Sequence, residues 1–269
     1  MDDLLAVAGL SRSTYYYHLK LLSKPDKYAE ERELIKGVFE KNKGRYGYRR
    51  VHAVLRLSGC TLNHKTTQRL MAEMGLQGRQ RRNKYKSYHG TVGAVAPNVL
   101  DRNFAARMPY EKLVTDVTEF SVCDEKVYLS PVLDLFNGEI LSYSISLSPN
   151  FAQTREMMLG LFSRLPDGSA PLLHSDQGWQ YQMREFQDML REHGMTQSMS
   201  RKGNCLDNSV MENFFGRLKT EMFFGEKFSS VQDFIRKLHE YIWYFNNERI
   251  SLKRKGMSPV EYRTHSQSQ

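Results

Sequence analysis

Carboxylates interrupt buried apolar patterns at two places in the second half of this chain. Leu172 and Leu173 end a short apolar run, and Gln-Gly turn residues directly follow Asp176. This order predicts that Asp176 lies at the C-terminal end of a strand. Glu212 lies at the edge of an apolar stripe with helical spacing, formed by Met211, Phe214, Phe215, Leu218 and Met222. We therefore expect one carboxylate at a strand end and a second on the rim of a packed helix, where rigid elements can hold them together.

A third acid, Asp116, falls in the middle of a strand-like segment, residues 113–122, in which Val and Thr alternate with polar residues. Asp is depleted in strands, and three carboxylates from separate elements predict an oxygen-ligand site for Mg²⁺ or Mn²⁺. Two cations about 3.5–4 Å apart can clamp the attacking and leaving oxygens of a phosphodiester. We therefore predict that Asp116, Asp176 and Glu212 are metal ligands and catalytic residues in nucleic-acid chemistry.

Four further polar residues lie close to these acids in the sequence and need separate interpretations. Glu221 is a possible substitute for Glu212, and Asp134 is a weaker candidate in a second predicted strand. Asp207 and Asn208 precede the Glu212 helix and are most simply interpreted as helix caps.

The residues around the acids are more informative than the spacing between them. Asp176 and Glu212 are separated by 35 residues, but such pairs arise by chance among 30 acids. The informative segments are 115–120 (TDVTEF), 174–178 (HSDQG), 200–208 (SRKGNCLDN) and 212–219 (ENFFGRLK). Together they resemble the D-D-35-E transposase and retroviral-integrase superfamily, in particular the second-frame (OrfB) product of bacterial insertion sequences of the insertion-sequence-three family. The resemblance extends from about residue 45 to residue 262.

The resemblance implies an α/β, ribonuclease-H-like core, a mixed five-stranded sheet flanked by helices, preceded by a small all-α helix-turn-helix region. The residue patterns predict strands at 113–122, 126–135 and 139–147, a strand that ends near Asp176, and a short strand at 195–198. Asn137-Gly138 is a hairpin turn signal between the second and third strands. Helices are predicted near 152–164, 184–193 and Glu212, and at 231–247. Leu113 departs from the family pattern, which usually has Trp at this position.

The resemblance also implies an enzyme, a DNA transposase that performs metal-dependent strand cleavage and strand transfer at the ends of a bacterial insertion sequence. The implied cofactor is a pair of Mg²⁺ ions, with Mn²⁺ as a substitute. The implied partners are transposon-end and target DNA, further copies of the chain assembled on DNA, and an upstream-frame product, in some cases as a frameshift fusion. The alternatives are a structure-specific metal-dependent nuclease and a catalytically inactive DNA-binding repressor.

The sequence predicts four segments. Residues 1–26 form a helix-turn-helix-like segment, 27–78 a helical DNA-binding domain, 79–108 a basic linker, and 109–269 the catalytic core with a C-terminal helix and basic tail. Residues 1–112 contain 22 Lys and Arg against 10 Asp and Glu, a net charge of +12, which predicts a DNA-binding surface. The predicted DNA contacts of the basic half are Arg45, Tyr46, Arg49, Arg50, Lys65, Arg69, Arg79, Arg81, Arg82 and Lys84. The family pattern adds Arg201, Lys202, Asn204 and Lys219. It also implies an active-site loop at residues 200–208, which is an alternative to the helix-cap interpretation of Asp207 and Asn208.

Composition excludes several other classes of protein. No apolar run approaches the length of a membrane span and no signal-peptide pattern is present, so we expect no membrane partner and a cytoplasmic, nucleoid-associated bacterial protein. The 3 cysteines have no paired spacing, which argues against a disulfide framework and a four-cysteine zinc site. His52, Cys60 and His64 could imitate a zinc cluster, but an ordinary helical domain is the better interpretation.

Overall fold

The computed structural model describes residues 5, 7, 9–22, 26–79 and 95–267. Their contacts divide the chain into two units, Met1–Gly78 and Arg79–Gln269. The finer division into four segments stays a prediction. No helix in the described ranges is both long and apolar enough to cross a membrane.

Among its described residues, the first unit contains the helices α1 (Arg12–Leu22), α2 (Ala29–Lys41), α3 (Tyr48–Leu57) and α4 (His64–Glu73). The Ser11 hydroxyl accepts a hydrogen bond from the Thr14 backbone N–H at 3.2 Å and so caps the start of α1. Asn63 likewise caps α4, because its side chain accepts a hydrogen bond from the Lys65 backbone N–H at 2.8 Å. The helices α2, α3 and α4 pack through the buried side chains Ile35, Val51, Leu55, Leu70 and Met71.

Tyr46, which we predicted to contact DNA, is buried within this first unit. Its side chain is only 1% exposed, and the Arg50 guanidinium lies 4.8 Å from its ring centroid. A base cannot stack on a ring that is covered in this way, so the prediction for Tyr46 is wrong and its role is packing. The aromatic residue lies at the start of α3, where an apolar side chain fixes how the chain enters the helix.

The described part of the second unit forms a mixed sheet of six strands: β1 (Lys112–Thr115), β2 (Thr118–Val122), β3 (Glu125–Asp134), β4 (Ile140–Ser146), β5 (Leu172–Ser175) and β6 (Thr196–Met199). The long strand β3 pairs antiparallel with β1, β2 and β4. The strands β1, β5 and β6 run parallel to one another. The predicted turn at Asn137-Gly138 joins β3 to β4, with Gly138 at a φ of +74°.

The prediction of five strands is wrong by one, because the segment 113–122 forms two strands. Pairing stops at Asp116 and Val117, and the Asp116 carboxylate accepts a hydrogen bond from the Val117 backbone N–H at 2.7 Å. This local bond removes the Val117 donor from the ladder. Asp116 therefore follows the C-terminal end of β1 instead of lying within a strand.

Helices cover the sheet: α5 (Phe151–Phe162), α6 (Trp179–Gln182), α7 (Arg184–Glu192), α8 (Ser209–Leu218), α9 (Val231–Asn247) and α10 (Pro259–Gln267). A core cluster joins the sheet to α5 and α7 through Leu113, Leu173, Met158, Phe186 and Leu190. Leu113 is completely buried there. The substitution of Leu for the Trp typical of the family is thus a matter of packing beneath β1.

Candidate active site

Asp116 and Asp176 follow the C-terminal ends of two neighbouring parallel strands. The register pairs Leu113 with Leu173 and Val114 with His174, so Asp116 and Asp176 occupy equivalent positions just beyond β1 and β5. The carboxyl ends of parallel strands form a crevice in which open α/β sheets bind ligands. The sequence patterns and the strand pairing therefore bring these two predicted ligands together.

Backbone donors fix the orientation of both aspartates. Asp116 accepts from the Val117 N–H at 2.7 Å, and Asp176 accepts from the Gly178 N–H at 2.8 Å. Gly178 permits this turn because a Cβ atom there would lie 2.6 Å from the Gln180 amide nitrogen and 3.0 Å from the Asp176 carboxylate. Each aspartate is therefore held by the loop that directly follows its strand.

The two aspartates disfavour each other's charge. Burial, followed by the negative charge of Asp176, raises the pKa of Asp116 well above its usual range. Burial also raises the pKa of Asp176. The Tyr181 hydroxyl lies 3.4 Å from the Thr115 hydroxyl, and burial together with both aspartates raises the pKa of Tyr181. The pair is thus charged only at a cost, which a cation would remove.

Glu212 lies in the first turn of α8, where the helix dipole favours a carboxylate. Its charge contributes to the raised pKa of Asp116, so it lies within electrostatic range of the pair. In the parts of the chain that the structure describes, no three His, Cys, Asp or Glu side chains have the arrangement of a metal site. The structure therefore brings two acids together with the third nearby, and the three-ligand set stays a prediction.

The groups around the aspartates fit a hard divalent cation. The donors are carboxylate oxygens, which Mg²⁺ and Mn²⁺ prefer. Asn208 donates its side-chain N–H to the Thr115 carbonyl at 3.3 Å, while its own Oδ1 is buried and has no hydrogen-bond partner among the described residues. A buried acceptor this close to Asp116 suits a hydrated cation, since the water would supply the missing donor.

Lys219 also lies near Asp116. Its ammonium donates to the Glu119 carbonyl at 3.0 Å and lies 5.1 Å from the Phe120 ring centroid. Burial lowers the pKa of Lys219, and its charge partly offsets the rise in the pKa of Asp116. Lys219 begins a π-helical turn, Lys219–Phe223, which follows α8 directly. It is therefore a partly buried cation beside the acids.

The structure corrects the interpretation of Asp207 and Asn208 as helix caps. Neither side chain caps α8. Asp207 is completely buried and accepts hydrogen bonds from the guanidinium groups of Arg201 and Arg102. Asn208 reaches back to β1, as described above. Their partners lie far away in the sequence, so capping preferences did not reveal them.

Glu221 and Asp134 are not available as ligands. Glu221 is buried and accepts two hydrogen bonds from Arg249, at 2.8 and 2.6 Å, and one from Tyr241 at 3.0 Å. Asp134 pairs with Leu113 at the opposite end of β1, where burial raises its pKa to about 6. These contacts favour Glu212 over Glu221 as the third acid.

The predicted DNA contacts differ in how available they are. Three of them, Arg49, Lys65 and Lys202, are exposed, and Asn204 is half-buried. Three others form ion pairs with carboxylates of the chain: Arg69 with Glu73 at 2.6 Å, Arg79 with Glu226 at 2.7 Å, and Arg201 with Asp207 at 2.9 Å. Arg81, Arg82 and Lys84 lie outside the described residues.

Comparison with known proteins identifies the family. Residues 27–84 match the HTH-like domain, and residues 106–205 and 212–266 match two families that are both described as Integrase core domain. The putative transposase InsK for insertion sequence element IS150 of Escherichia coli (strain K12) is 53% identical over 266 residues, which span 99% of this chain and 94% of that protein. The chain belongs to the family of insertion-sequence transposases.

A second relative and a solved structure share less identity with this transposase. The transposase for insertion sequence element IS904 of Lactococcus lactis subsp. lactis (strain IL1403) is 32% identical over 90% of this chain and 98% of that protein. Among solved structures, the HTLV-2 integrase catalytic core domain in complex with magnesium matches with a TM-score of 0.43 and 17% identity over 59% of this chain and 98% of that one.

Membership of this family gives the class of fold and of chemistry. The mixed sheet has the ribonuclease-H-like fold of integrase cores. The protein is an enzyme, a polynucleotidyl transferase that acts in DNA transposition. Its HTH-like and integrase core domains imply DNA binding, and cores of this family generally depend on a divalent metal.

Proposed function

We propose that Asp116, Asp176 and Glu212 form the active centre of this transposase, holding two Mg²⁺ ions, for which Mn²⁺ can substitute. The observation that supports this most directly is the placement of Asp116 and Asp176 at equivalent positions beyond two adjacent parallel strands. The substrates are the ends of the insertion sequence and then target DNA. Strand cleavage comes first and strand transfer second, with no covalent link between protein and DNA.

In this proposal the side chains around the site have two roles, which are to hold the charged cations and to orient the groups beside them. When bound, the cations would activate water or a DNA 3′-hydroxyl and stabilise the leaving oxygen. Asp116 and Asp176 supply negative oxygens from rigid strand ends. Tyr181 remains a neutral phenol beneath them, because its pKa is raised. Lys219 carries a positive charge beside Asp116, in position to bind a phosphate of the transposon end.

We propose that DNA is also bound by basic residues of the first unit. The set comprises Arg45, Arg49, Arg50, Lys65 and Arg69, joined by Arg79, Arg81, Arg82 and Lys84 after α4 and by Arg201, Lys202 and Asn204 in the core. We further propose that the protein assembles as a homo-oligomer on nucleoid DNA and works with an upstream-frame product, in some cases as a fusion.

The experiment that tests the active centre is Mg²⁺-dependent cleavage and joining of a duplex that carries the element's own end. The wild-type chain is compared with Glu212→Gln and with the chain fused to its upstream frame. We expect Glu212→Gln to retain DNA binding and to lose both reactions. Cleavage without joining would favour the nuclease alternative, DNA binding without either reaction in any form would favour the repressor, and full activity in Glu212→Gln would rule out the proposed site.

Exposed basic residues of the first unit should set the salt dependence of DNA binding. For Arg49→Gln and Lys65→Gln, we expect the slope of log Kobs against log[salt] to become shallower by about 0.9 for each lost phosphate contact. The affinity should fall similarly for all DNA sequences. The measurement is a salt titration of binding by fluorescence anisotropy. The matched control is Lys36→Gln, an exposed lysine of α2 that is not among the predicted contacts. Slopes equal to wild type in both test variants would contradict the assignment.

A further inference from the structure

Asp207 is a completely buried carboxylate that joins two distant segments of the second unit. It accepts hydrogen bonds from the backbone N–H, Nε and Nη2 of Arg201, at 3.0, 2.9 and 2.9 Å. It also accepts from Nε of Arg102 at 2.7 Å and from the side-chain amide of Asn98 at 3.1 Å. Five donors saturate the carboxylate, and the bonds from Arg201 hold its pKa well below its usual range. The group therefore stays ionised and fixed throughout the neutral pH range.

The segment that supplies Arg102 is itself held in a constrained shape. Asp101 and Arg102 have positive φ values of 39° and 60°, a conformation that costs non-glycine residues energy and persists only where surroundings impose it. The backbone N–H groups of Val99 and Leu100 both donate to the Ser198 hydroxyl on β6, at 2.9 and 3.0 Å. These hydrogen bonds hold the segment 99–102 against β6 in a conformation that places Arg102 beside Asp207.

The other side of Asp207 leads directly to the proposed active centre. The next residue, Asn208, donates to the carbonyl of Thr115, whose neighbour is Asp116. The helix α8 begins at the residue after that and carries Glu212 in its first turn. Asp207 is therefore linked to Asp116 through Asn208 and to Glu212 through the start of α8.

We propose that Asp207 is a positioning residue, which fixes the start of the Glu212 helix against Asp116 by locking the loop 200–208 to Arg102. This inference rests on the proposed function. Asp207 contacts neither substrate nor cation; it acts through Asn208 and Glu212. Rate depends steeply on such placement, because a misplacement of about 1 Å can cost about 100-fold.

A different role for Arg102 predicts different kinetics. Arg102 is about half exposed, so the rival role is direct binding of a DNA phosphate. Loss of a phosphate contact would weaken DNA binding and make its salt dependence shallower, with no change in rate once DNA is saturating. Loss of positioning would lower the rate at saturating DNA and leave the affinity unchanged. The two roles are therefore separable in one set of measurements.

The test is the single-turnover rate of end cleavage at saturating DNA, measured together with DNA affinity and melting temperature on the full chain. We expect Asp207→Asn to lower the rate by about 10- to 100-fold with unchanged affinity. Arg102→Gln should act in the same direction, and Arg102→Lys, which keeps a donor for Asp207, should retain more of the rate. The double variant Asp207→Asn/Arg102→Gln should be no slower than the slower single variant, because both break one interaction.

The matched control is Glu139→Gln. Glu139 is also buried and accepts from Nε of Arg263 at 2.7 Å. It directly precedes β4 and accepts a backbone hydrogen bond from Asp134, which pairs with the start of β1, whereas the acids follow the strand ends. It should lower the melting temperature and leave the rate unchanged. If Asp207→Asn fails to fold, the Arg102 variants on the protein surface still decide the question.

The outcomes separate the two proposals. A rate lost in Glu212→Gln but unchanged in Asp207→Asn and Arg102→Gln would overturn the positioning role alone. A weaker affinity with an unchanged saturated rate would overturn it in favour of phosphate binding. Full activity in Glu212→Gln would overturn the proposed active centre, and the positioning role with it.

Discussion

Asp116→Asn is expected to abolish strand cleavage and at the same time to make the metal-free protein more stable. The rate should fall by about 10³-fold or more, because the stabilisation that a metal gives the transition state is worth several kcal/mol. DNA binding should persist, since no predicted DNA contact is altered. The loss of activity would thus be a loss of chemistry and not of folding.

The gain in stability follows from the pKa of Asp116. Because burial and the charge of Asp176 raise the pKa of Asp116 well above its usual value, the folded state binds the proton more tightly than the unfolded state does. Stability is therefore lost as the pH rises from the pKa of Asp116 in the unfolded chain through its raised pKa in the folded state. At neutral pH the carboxyl group of Asp116 therefore lowers stability. Asn carries no charge, so it removes that cost.

The measurement is thermal unfolding at neutral pH, first in EDTA and then in a Mg²⁺ titration. In EDTA the wild-type protein should have a lower melting temperature than Asp116→Asn. Its melting temperature should rise with Mg²⁺, because a ligand that binds only the folded state stabilises that state. The variant should respond little to Mg²⁺. The control is Asp124→Asn, which makes the same chemical change at an exposed turn residue. A variant that is less stable in EDTA and still cleaves DNA would contradict the assignment.

Glu221→Gln is expected to cause the largest loss of stability among single changes of charge in the core. Arg249 and Glu221 are 6% and 5% exposed. In the variant Arg249 stays positively charged inside the core, because a guanidinium does not lose its proton in proteins. An uncompensated buried charge costs about 3–5 kcal/mol. In a chain of this size the melting temperature should fall by roughly 6–20 °C.

Chemical denaturation of the variant at constant pH measures this loss. Glu226→Gln is the control, because Glu226 also pairs with an arginine, Arg79, but at the surface, where such pairs contribute about 0–1 kcal/mol. The double variant Glu221→Leu/Arg249→Met should recover much of the loss, since it leaves no buried charge. A stable Glu221→Gln that no longer cleaves DNA would show that Glu221, and not Glu212, is the third acid.

Local patterns predicted the strands and helices well because each has its own signal. The apolar run before Asp176 and the turn residues after it predicted a strand end, and β5 ends at Ser175 as expected. The helix predicted at 231–247 is α9, Val231–Asn247. The alternation of residues 113–122 did not reveal the break at Asp116, because the residues after the break continue to alternate in β2. Only the side-chain bond to Val117 interrupts the pairing.

Partners distant in sequence could not be predicted from local patterns. Asp207 has the residue type and position of a helix cap, yet its bonds go to Arg102, which lies in the predicted linker. Glu221 was a plausible ligand by type, but Arg249 binds it inside the core. Tyr46 lies among arginines in the sequence and is nevertheless buried. Composition and periodicity indicate which face of an element is apolar, but they do not indicate which polar groups meet.

The parallel arrangement of β1, β5 and β6 gives a physical meaning to the distance along the chain between Asp176 and Glu212. After β5 the chain must return across the sheet before it can run forward again in β6. The 9 residues of α7 span about 13 Å at about 1.5 Å each, and the 4 residues of β6 span about 13 Å at about 3.3 Å each. The helix α7 and the strand β6 therefore have about the same length. Much of the sequence between the two acids is thus used to run back along the sheet in α7 and forward again in β6. Turns at the end of the sheet away from the acids can therefore change in length without moving either carboxylate.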